Sequence, residues 1–429
     1  MESLRNEEKV RALQEKLSRK AKAEPRFRFY ALYDKTYRMD FLRESYRRVK
    51  ANGGSPGIDG QTFEMVESQG LESYLQTLQE EMKAGKYRPQ PVLRVYIPKP
   101  NGEQRPLGIP TIRDRIVQGA FKLVLEPIFE SDFSEQSFGF RPGKSAHDAI
   151  VEVRKLLYWG CTEIYDVDLS KYFDTVEHGK LMKLLRLRIV DRRVLKIIRM
   201  WLRCGYVEGK QHRTPLQGTP QGGVISPLLA NLYLNPMDKA LEKSQLWRES
   251  QGRLTLVRYA DDFLLMARRG IKRGQDIVHS ILERLGLKIN KEKTRELRLG
   301  LGDSVEFLGF KFTRDALNRS SKAFYRVTPT GKVLNRIREK VRQNISAQIP
   351  KTIQEQIAAI NPILRGWTNY FRIGNSSRSF KTLRNFVEQR IRKALQCRKG
   401  RDGYNYSKYD PDFIYSKLGL FRDYAVRYA

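Results

Sequence analysis

The sequence predicts an α+β chain that closes on an all-helical module, and three observations carry that expectation. Two amphipathic helical stretches and a glycine-rich loop fill residues 1–70. From residue 71 to about 315, short strand-like runs alternate with helical segments, as in an α+β domain. Over residues 316–400 apolar residues recur at helical spacing, and a basic, tyrosine-rich tail occupies 401–429.

Each element follows from its residues. Val10, Leu13 and Leu17 make one helical face among Lys and Arg, and Pro25 ends that helix. Leu42, Tyr46 and Val49 make a second face, with Arg43, Arg47, Arg48 and Lys50 largely on the others. Asn52 to Gly57 is a loop. Ile97-Pro98-Lys99-Pro100-Asn101-Gly102 followed by Arg105 is a hairpin punctuated by Pro and Gly, carrying two cations. Ile164 to Leu169 is a strand with Asp166 and Asp168 on one face. Asp174 and Glu177 have capping-box spacing, so a helix is expected to start near Asp174.

Gly218 to Gly223 is a second glycine-rich run, where backbone can approach a nucleotide closely or simply turn. The runs Leu254–Val257 and Phe263–Met266 read as a hairpin with Asp261 and Asp262 at its tip. Further on, Leu334, Ile337, Val341 and Ile345 form one helical face, and Ile353, Ile357 and Ile360 another. Asn361-Pro362 reads as an N-cap and first-turn proline, opening a helix through Leu364, Trp367 and Phe371. A last long helix carries Phe380, Leu383, Val387, Ile391 and Leu395, with Arg390, Arg392 and Lys393 among its cations.

Charge narrows the function. With 81 Lys and Arg against 48 Asp and Glu, the formal net charge is +33. So large an excess favours a polyanionic partner, and nucleic acid ahead of a membrane, because no apolar run approaches transmembrane length. The first 22 residues are charged throughout, unlike a signal peptide. Cys161, Cys204 and Cys397 are scattered, which suits neither a disulfide framework nor a zinc site. A soluble, cytoplasmic chain is expected.

Against that basic background the acids stand out. Asp261 and Asp262 at one turn repel each other unless cations lie between them. Two Mg²⁺ ions about 3.5–4 Å apart would serve, and would drive in-line phosphoryl transfer. A third carboxylate at a strand end, Asp166 or Asp168, would complete the cage, and the chemistry alone does not choose between them. Lys99 and Arg105 could rest on a triphosphate, where cations offset charge developing on the leaving group. The plainer alternatives are an acidic surface turn and two surface cations.

Taken in order, these pieces resemble the reverse transcriptases encoded by group II introns, over about residues 40–400. Asp168-Leu169-Ser170-Lys171-Tyr172-Phe173-Asp174 is similar to the family's first metal motif, in which an aromatic follows the catalytic Asp by five residues. That spacing selects Asp168. Gln221-Gly222-Gly223-Val224-Ile225-Ser226-Pro227 resembles the nucleotide-pocket motif, its Ser-Pro departing from the Ser-Gln of diversity-generating enzymes. Tyr259-Ala260-Asp261-Asp262 resembles the second metal motif. Gly286-Leu287-Lys288-Ile289-Asn290 with Lys293 resembles the motif that follows, Phe307-Leu308-Gly309-Phe310 the primer grip, and Gly366 to Phe371 the maturase or thumb domain.

The resemblance implies a right-hand polymerase: an N-terminal helical extension, fingers and palm, then an all-helical thumb. It implies RNA-directed DNA synthesis from deoxynucleoside triphosphates, with Asp168, Asp261 and Asp262 around two Mg²⁺ ions. Lys99 and Arg105 would hold the triphosphate, Gln221 would line the pocket, Phe173 would block a ribose 2′-OH, and Lys293 would protonate pyrophosphate. Phe307, Leu308 and Gly309 would grip the primer, while Arg390, Arg392 and Lys393 would bind RNA. The implied partners are intron RNA, an RNA template, a DNA primer and target DNA, with no membrane; a homodimer is compatible. Many members carry a DNA-binding region and an endonuclease after the thumb, so the tail from Arg401 is expected to be a remnant of the former. The rival expectations are an RNA-binding splicing factor with an inert polymerase domain, and a polymerase recruited to phage defence or CRISPR adaptation.

Overall fold

The computed structural model describes residues 2–98, 102–209, 211–214, 217–219, 222–244, 254–316 and 323–427. In chain order the elements begin with α1 (Glu2–Ala23), α2 (Tyr33–Thr36), α3 (Met39–Asn52), α4 (Phe63–Ser68), α5 (Leu71–Lys83), β1 (Val92–Pro98) and β2 (Gln104–Ile109). There follow α6 (Ile112–Glu130), α7 (Ala146–Tyr158), β3 (Glu163–Asp168), α8 (Tyr172–Thr175), α9 (His178–Arg186), α10 (Arg192–Arg203), β4 (Tyr206–Glu208) and β5 (Gln211–Arg213). Next come α11 (Ser226–Lys243), β6 (Leu254–Tyr259), β7 (Asp262–Ala267), α12 (Ile271–Leu285), β8 (Arg295–Arg298) and β9 (Ser304–Phe307). The chain continues through β10 (Phe310–Ala316), β11 (Ala323–Pro329), α13 (Gly331–Asn344), α14 (Ile353–Phe371) and α15 (Ser377–Cys397). The α+β class holds.

The chain packs as two compact units. The first comprises residues 1–145, 165–265 and 270–295, and the second residues 146–164, 266–269 and 296–429. Three sheets form, with strand orders β2-β1-β4-β5, β11-β10-β9 and β6-β7-β3-β8. No described helix is long and apolar enough to cross a membrane.

In the first unit α6 is the central rod. Ile116, Val117, Ala120, Phe121, Val124 and Leu125 are all fully buried, so the helix is apolar nearly all round. Gly119 lets α3 cross it closely, because a Cβ there would fall 2.1 Å from Ser45 Oγ. The Ser45 hydroxyl donates to the Ile116 carbonyl at that crossing. Arg47 and Arg48, placed off the apolar face of α3, both clamp the buried carboxylate of Glu44.

In the second unit α13, α14, α15 and the tail share one core, built from Ile337, Val341, Ile357, Leu364, Leu383, Val387 and Ile391 with Ile414, Leu418 and Leu420. Three expectations change here and in the first unit. Pro362 does not open a helix but lies inside α14, which begins at a Thr352–Glu355 capping box. Ile357, Ile360 and Leu364 stay on one buried face through that proline, and this apolar stripe carries the helix past the lost hydrogen bond. Asn361, read as a cap, instead binds the tail: its amide donates to the Gly419 carbonyl and its oxygen accepts from the Phe421 N–H. Asp174 likewise is not at a helix start; it sits within the single turn of α8, and Glu177 takes the N-cap position of α9 without a side-chain capping bond. Ile414, Leu418 and Leu420 fold the tail into the helical core, and among its described tyrosines only Tyr404 and Tyr406 are exposed.

Candidate active site

The two acids expected at a hairpin tip lie at one. Ala260 and Asp261 alone join β6 to β7, and Ala260 has φ of 58°. A non-glycine residue in that left-handed region costs on the order of 1 kcal/mol, so something must hold it there. A buried polar network does. The fully buried Arg258 donates from Nη1 to the Ala260 carbonyl at 2.9 Å and to Asn231 Oδ1 at 3.0 Å. Its Nε and Nη2 pair with Asp238 at 3.0 and 2.5 Å. Asn231 passes the chain on, its Nδ2 donating to the Gly139 carbonyl. Gly139 is required where it stands, since a Cβ would fall 2.4 Å from the Ala260 nitrogen. No sequence motif assigns a role to Arg258, Asn231 or Asp238. The available signals were an Arg inside an otherwise apolar strand, and two polar residues seven apart on the buried face of α11.

Asp168 ends β3 and is held from the other side. Its N–H donates to Thr294 Oγ1 at 3.3 Å, and its carbonyl accepts from the Asn290 N–H at 2.8 Å. Leu169 pairs with Ile289 as an isolated bridge, and the Ser170 N–H donates to the Lys288 carbonyl. The Gly286–Asn290 segment is thus a clamp on the Asp168 strand end. The turn after it delivers Lys293, whose Nζ lies 3.6 Å from Asp168 Oδ2.

Because β7 lies between β6 and β3, the hairpin tip and the β3 strand end belong to neighbouring strands. Their electrostatics record the proximity. Burial first, then the charges of Asp166, Asp261 and Asp168, push the Asp262 carboxyl up to about 7. The residue is nonetheless exposed to solvent at the start of β7. Burial also raises Asp261, and Asp168 adds to the rise while Arg105 and Arg258 oppose it. Arg105, on β2, is therefore within electrostatic reach of the acids.

The donor set suits a hard divalent cation, which prefers carboxylate oxygens and would relieve the repulsion that raises Asp262. Among the described residues, however, no three acidic, His or Cys side chains are already gathered tightly enough to form a closed cage.

Phe173 is half-buried rather than core, and stacks edge-on with Tyr172 at 5.3 Å. Its carbonyl accepts from the Thr219 N–H, and Gly218, with φ of 97°, fits against it. The second glycine-rich run therefore closes on the motif that carries Phe173. Gln221 and Lys99 lie outside the described residues.

In the second unit Leu308 and Gly309, both with positive φ, form the two-residue turn of the β9–β10 hairpin. Tyr370 Oη donates to the Leu308 carbonyl, and Gly309 accepts from the Thr330 N–H. Phe307 is buried beneath it. The three cations expected to bind RNA do not share one environment. Lys393 is exposed, and Arg390 is partly buried with Nη2 on the Ile345 carbonyl. Arg392, only 3 % exposed, corrects the expectation of a surface cation. Its guanidinium ties the Tyr409 carbonyl and Glu388, pinning the tail to α15.

Comparison with known proteins finds two family models in this chain. Residues 97–312 match the family model described as reverse transcriptase (RNA-dependent DNA polymerase). Residues 334–409 match that of the group II intron maturase-specific domain. The protein YkfC of Escherichia coli K12 is 38% identical over 342 residues, 71% of this chain and 88% of that protein. The group II intron-encoded protein LtrA of Lactococcus lactis is 37% identical over 232 residues, 53% of this chain and 38% of that protein. The COX1/OXI3 intron 1 protein of Saccharomyces cerevisiae is 31% identical over 368 residues, 74% of this chain and 43% of that protein. The chain thus spans most of the first relative and less than half of the other two.

Proposed function

Since this chain belongs to the family of group II intron-encoded reverse transcriptases and maturases, we propose that it copies RNA into DNA and binds intron RNA to assist splicing. The observation that supports the polymerase half is the electrostatic coupling of Asp168, Asp261 and Asp262, with Arg105 acting on Asp261 and Lys293 beside Asp168. Asp168, Asp261 and Asp262 are the residues that would hold Mg²⁺. Bound there, a pair of these ions would supply activation of a primer 3′-hydroxyl and neutralisation of charge on the departing pyrophosphate.

The chain's own groups do the rest. Arg105, with Lys99, binds the triphosphate of the incoming deoxynucleotide, and Gln221 lines its pocket. Lys293, held beside Asp168, keeps a proton within reach of the leaving group. Phe173, half-exposed and fixed by Thr219, presents a ring edge that excludes a 2′-hydroxyl. Phe307, Leu308 and Gly309 present a rigid turn to the primer. The all-helical core with Arg390 and Lys393 outside it binds intron RNA, and reverse transcription of that RNA at a target DNA follows from the pair of activities. The bacterial relatives YkfC and LtrA support a cytoplasmic setting.

The test is primer extension. The purified chain, given an RNA template, a DNA primer, deoxynucleotides and Mg²⁺, extends the primer. Absence of extension with intact folding and intact RNA binding would leave an RNA-binding splicing factor instead.

A further inference from the structure

Within the second unit, the ends of α7, β7 and β8 and the face of the β10–β11 hairpin enclose an open pocket of about 810 Å³. Four arginines line it: Arg268, Arg269, Arg298 and Arg314. Among the described residues the side chains of Arg268, Arg269 and Arg298 make no ion pair or hydrogen bond, and all three are exposed. Arg314 donates to the Leu299 carbonyl, while its buried Nε has no partner. The lone acid in the lining is Asp303, whose carboxylate already accepts from the Gly300 N–H. Elsewhere in the unit arginines find acids: Arg392 has Glu388 and Arg372 has Asp423. Three exposed guanidinium groups on the lining of one concavity concentrate positive charge there and favour an anionic ligand.

The same pocket has aromatic walls. Tyr158 lines it at 52% exposure, resting edge-on against the buried Tyr325 at 5.3 Å, and Phe324 is half-buried beside it. Trp159, next in sequence to Tyr158, is also about half exposed, with Lys155 over its ring at 4.5 Å. Fixed rings beside unpaired arginines are what an unpaired nucleotide needs: a face for the base and forked donors for the phosphate. The volume falls within the range of pockets that enclose ligands of nucleotide size.

We propose that this pocket is a binding site for single-stranded RNA. One unpaired base stacks against Tyr158 or Phe324, and the flanking phosphates lie on Arg268, Arg269 and Arg298. The pocket contains none of the residues assigned to catalysis, the primer or the helical RNA-binding face. It rests on the reading of the chain as an RNA-binding maturase, and extends that reading to a second contact.

The experiment uses the full chain and an unstructured 15-nucleotide RNA carrying 4-thiouridine. Crosslinked peptides should include residues 155–162 or those around Arg268 and Arg298. Replacing Arg268, Arg269 and Arg298 together by Ala should lower the slope of log affinity against log salt by about 2, as expected for three lost phosphate contacts on a single strand. Tyr158→Ala should weaken binding at least about fivefold with the salt slope unchanged, because stacking releases no counterions. These residues are exposed, so both variants should melt as the parent does.

Unchanged slope and affinity in the triple variant, or crosslinks only elsewhere, would overturn the proposal. So would loss of an acidic phosphopeptide with RNA binding untouched, which would make the pocket a protein-docking site. Primer extension and intron RNA binding are scored in parallel. If both fail while oligonucleotide crosslinks persist here, the maturase reading falls and the pocket stands. If both persist while the oligonucleotide ignores the pocket, the pocket alone falls.

Discussion

The two units solve opposite electrostatic problems, and the contrast explains what each can do. The first brings like charges together. Asp168, Asp261 and Asp262 interact in spite of repulsion because backbone and buried polar groups fix the strand ends that carry them. Its stability near the site rests on the desolvated pair of Arg258 and Asp238, a device that is costly if broken. The helical module of the second unit holds itself together by aliphatic packing and keeps most of its cations outside. A site that must hold charges at fixed positions needs a stiff polar scaffold; a surface that must meet a long polyanion needs only a firm core beneath mobile cations.

The contrast can be broken most severely at Arg258. Arg258→Met leaves Asp238 buried without a counter-charge and should cost about 3–5 kcal/mol, measured by urea denaturation. Pairing it with Asp238→Leu should recover much of that loss without recovering activity, because the Ala260 carbonyl still lacks its donor. Full activity in the double variant would remove Arg258 from any part in positioning the turn.

The cations of α15 sharpen the second half of the comparison. Arg392→Ala removes charge-assisted hydrogen bonds to Tyr409 and Glu388 and should cost about 1.5–3 kcal/mol. Charge reversal at Arg390 and Lys393 should change stability far less. It should weaken intron RNA binding and leave extension on a short homopolymer template in place. Equal melting temperatures for Arg392→Ala and Lys393→Glu would contradict the burial assigned to Arg392.

A smaller effect is expected at Phe173. Phe173→Ala opens space beside the sugar and should raise ribonucleotide incorporation relative to deoxyribonucleotide; an unchanged ratio would make the ring simple packing. The smallest effect concerns pH. A carboxyl that titrates near 7 when folded and near the ordinary carboxylate value when unfolded binds protons on folding, so its contribution to stability is lost as pH rises towards 7. In metal-free protein, Asp262→Asn should therefore raise the melting temperature more at pH 8 than at pH 5. The reverse order would mean that Asp262 carries no such repulsion.

Much of this was readable from the residues. The hairpin bearing Asp261 and Asp262, the strand ending at Asp168, and the helices from Gly331 to Cys397 all follow from local periodicity. The strand Ala323–Pro329, by contrast, lies within the span 316–400 expected to be all-helical. What escaped was set by tertiary structure. Pro362 reads as a boundary because the local rule is strong, and only the continuous stripe of Ile357, Ile360 and Leu364 shows why the helix runs through it. Arg392 looks like its neighbours in sequence, and only the returning tail buries it. Arg258 supports the site through Asn231 and Asp238, contacts 27 and 20 residues away that no motif spacing reveals.

The central claim is that the acids of the first unit perform DNA synthesis while RNA binding is housed elsewhere. Asp261→Asn tests both halves in one protein, removing a ligand charge while keeping the side chain's shape. Primer extension on an RNA template in Mg²⁺ should fall to background, with the melting temperature and the affinity for intron RNA held at parental values. Extension near the parental rate would contradict the assignment of these carboxylates.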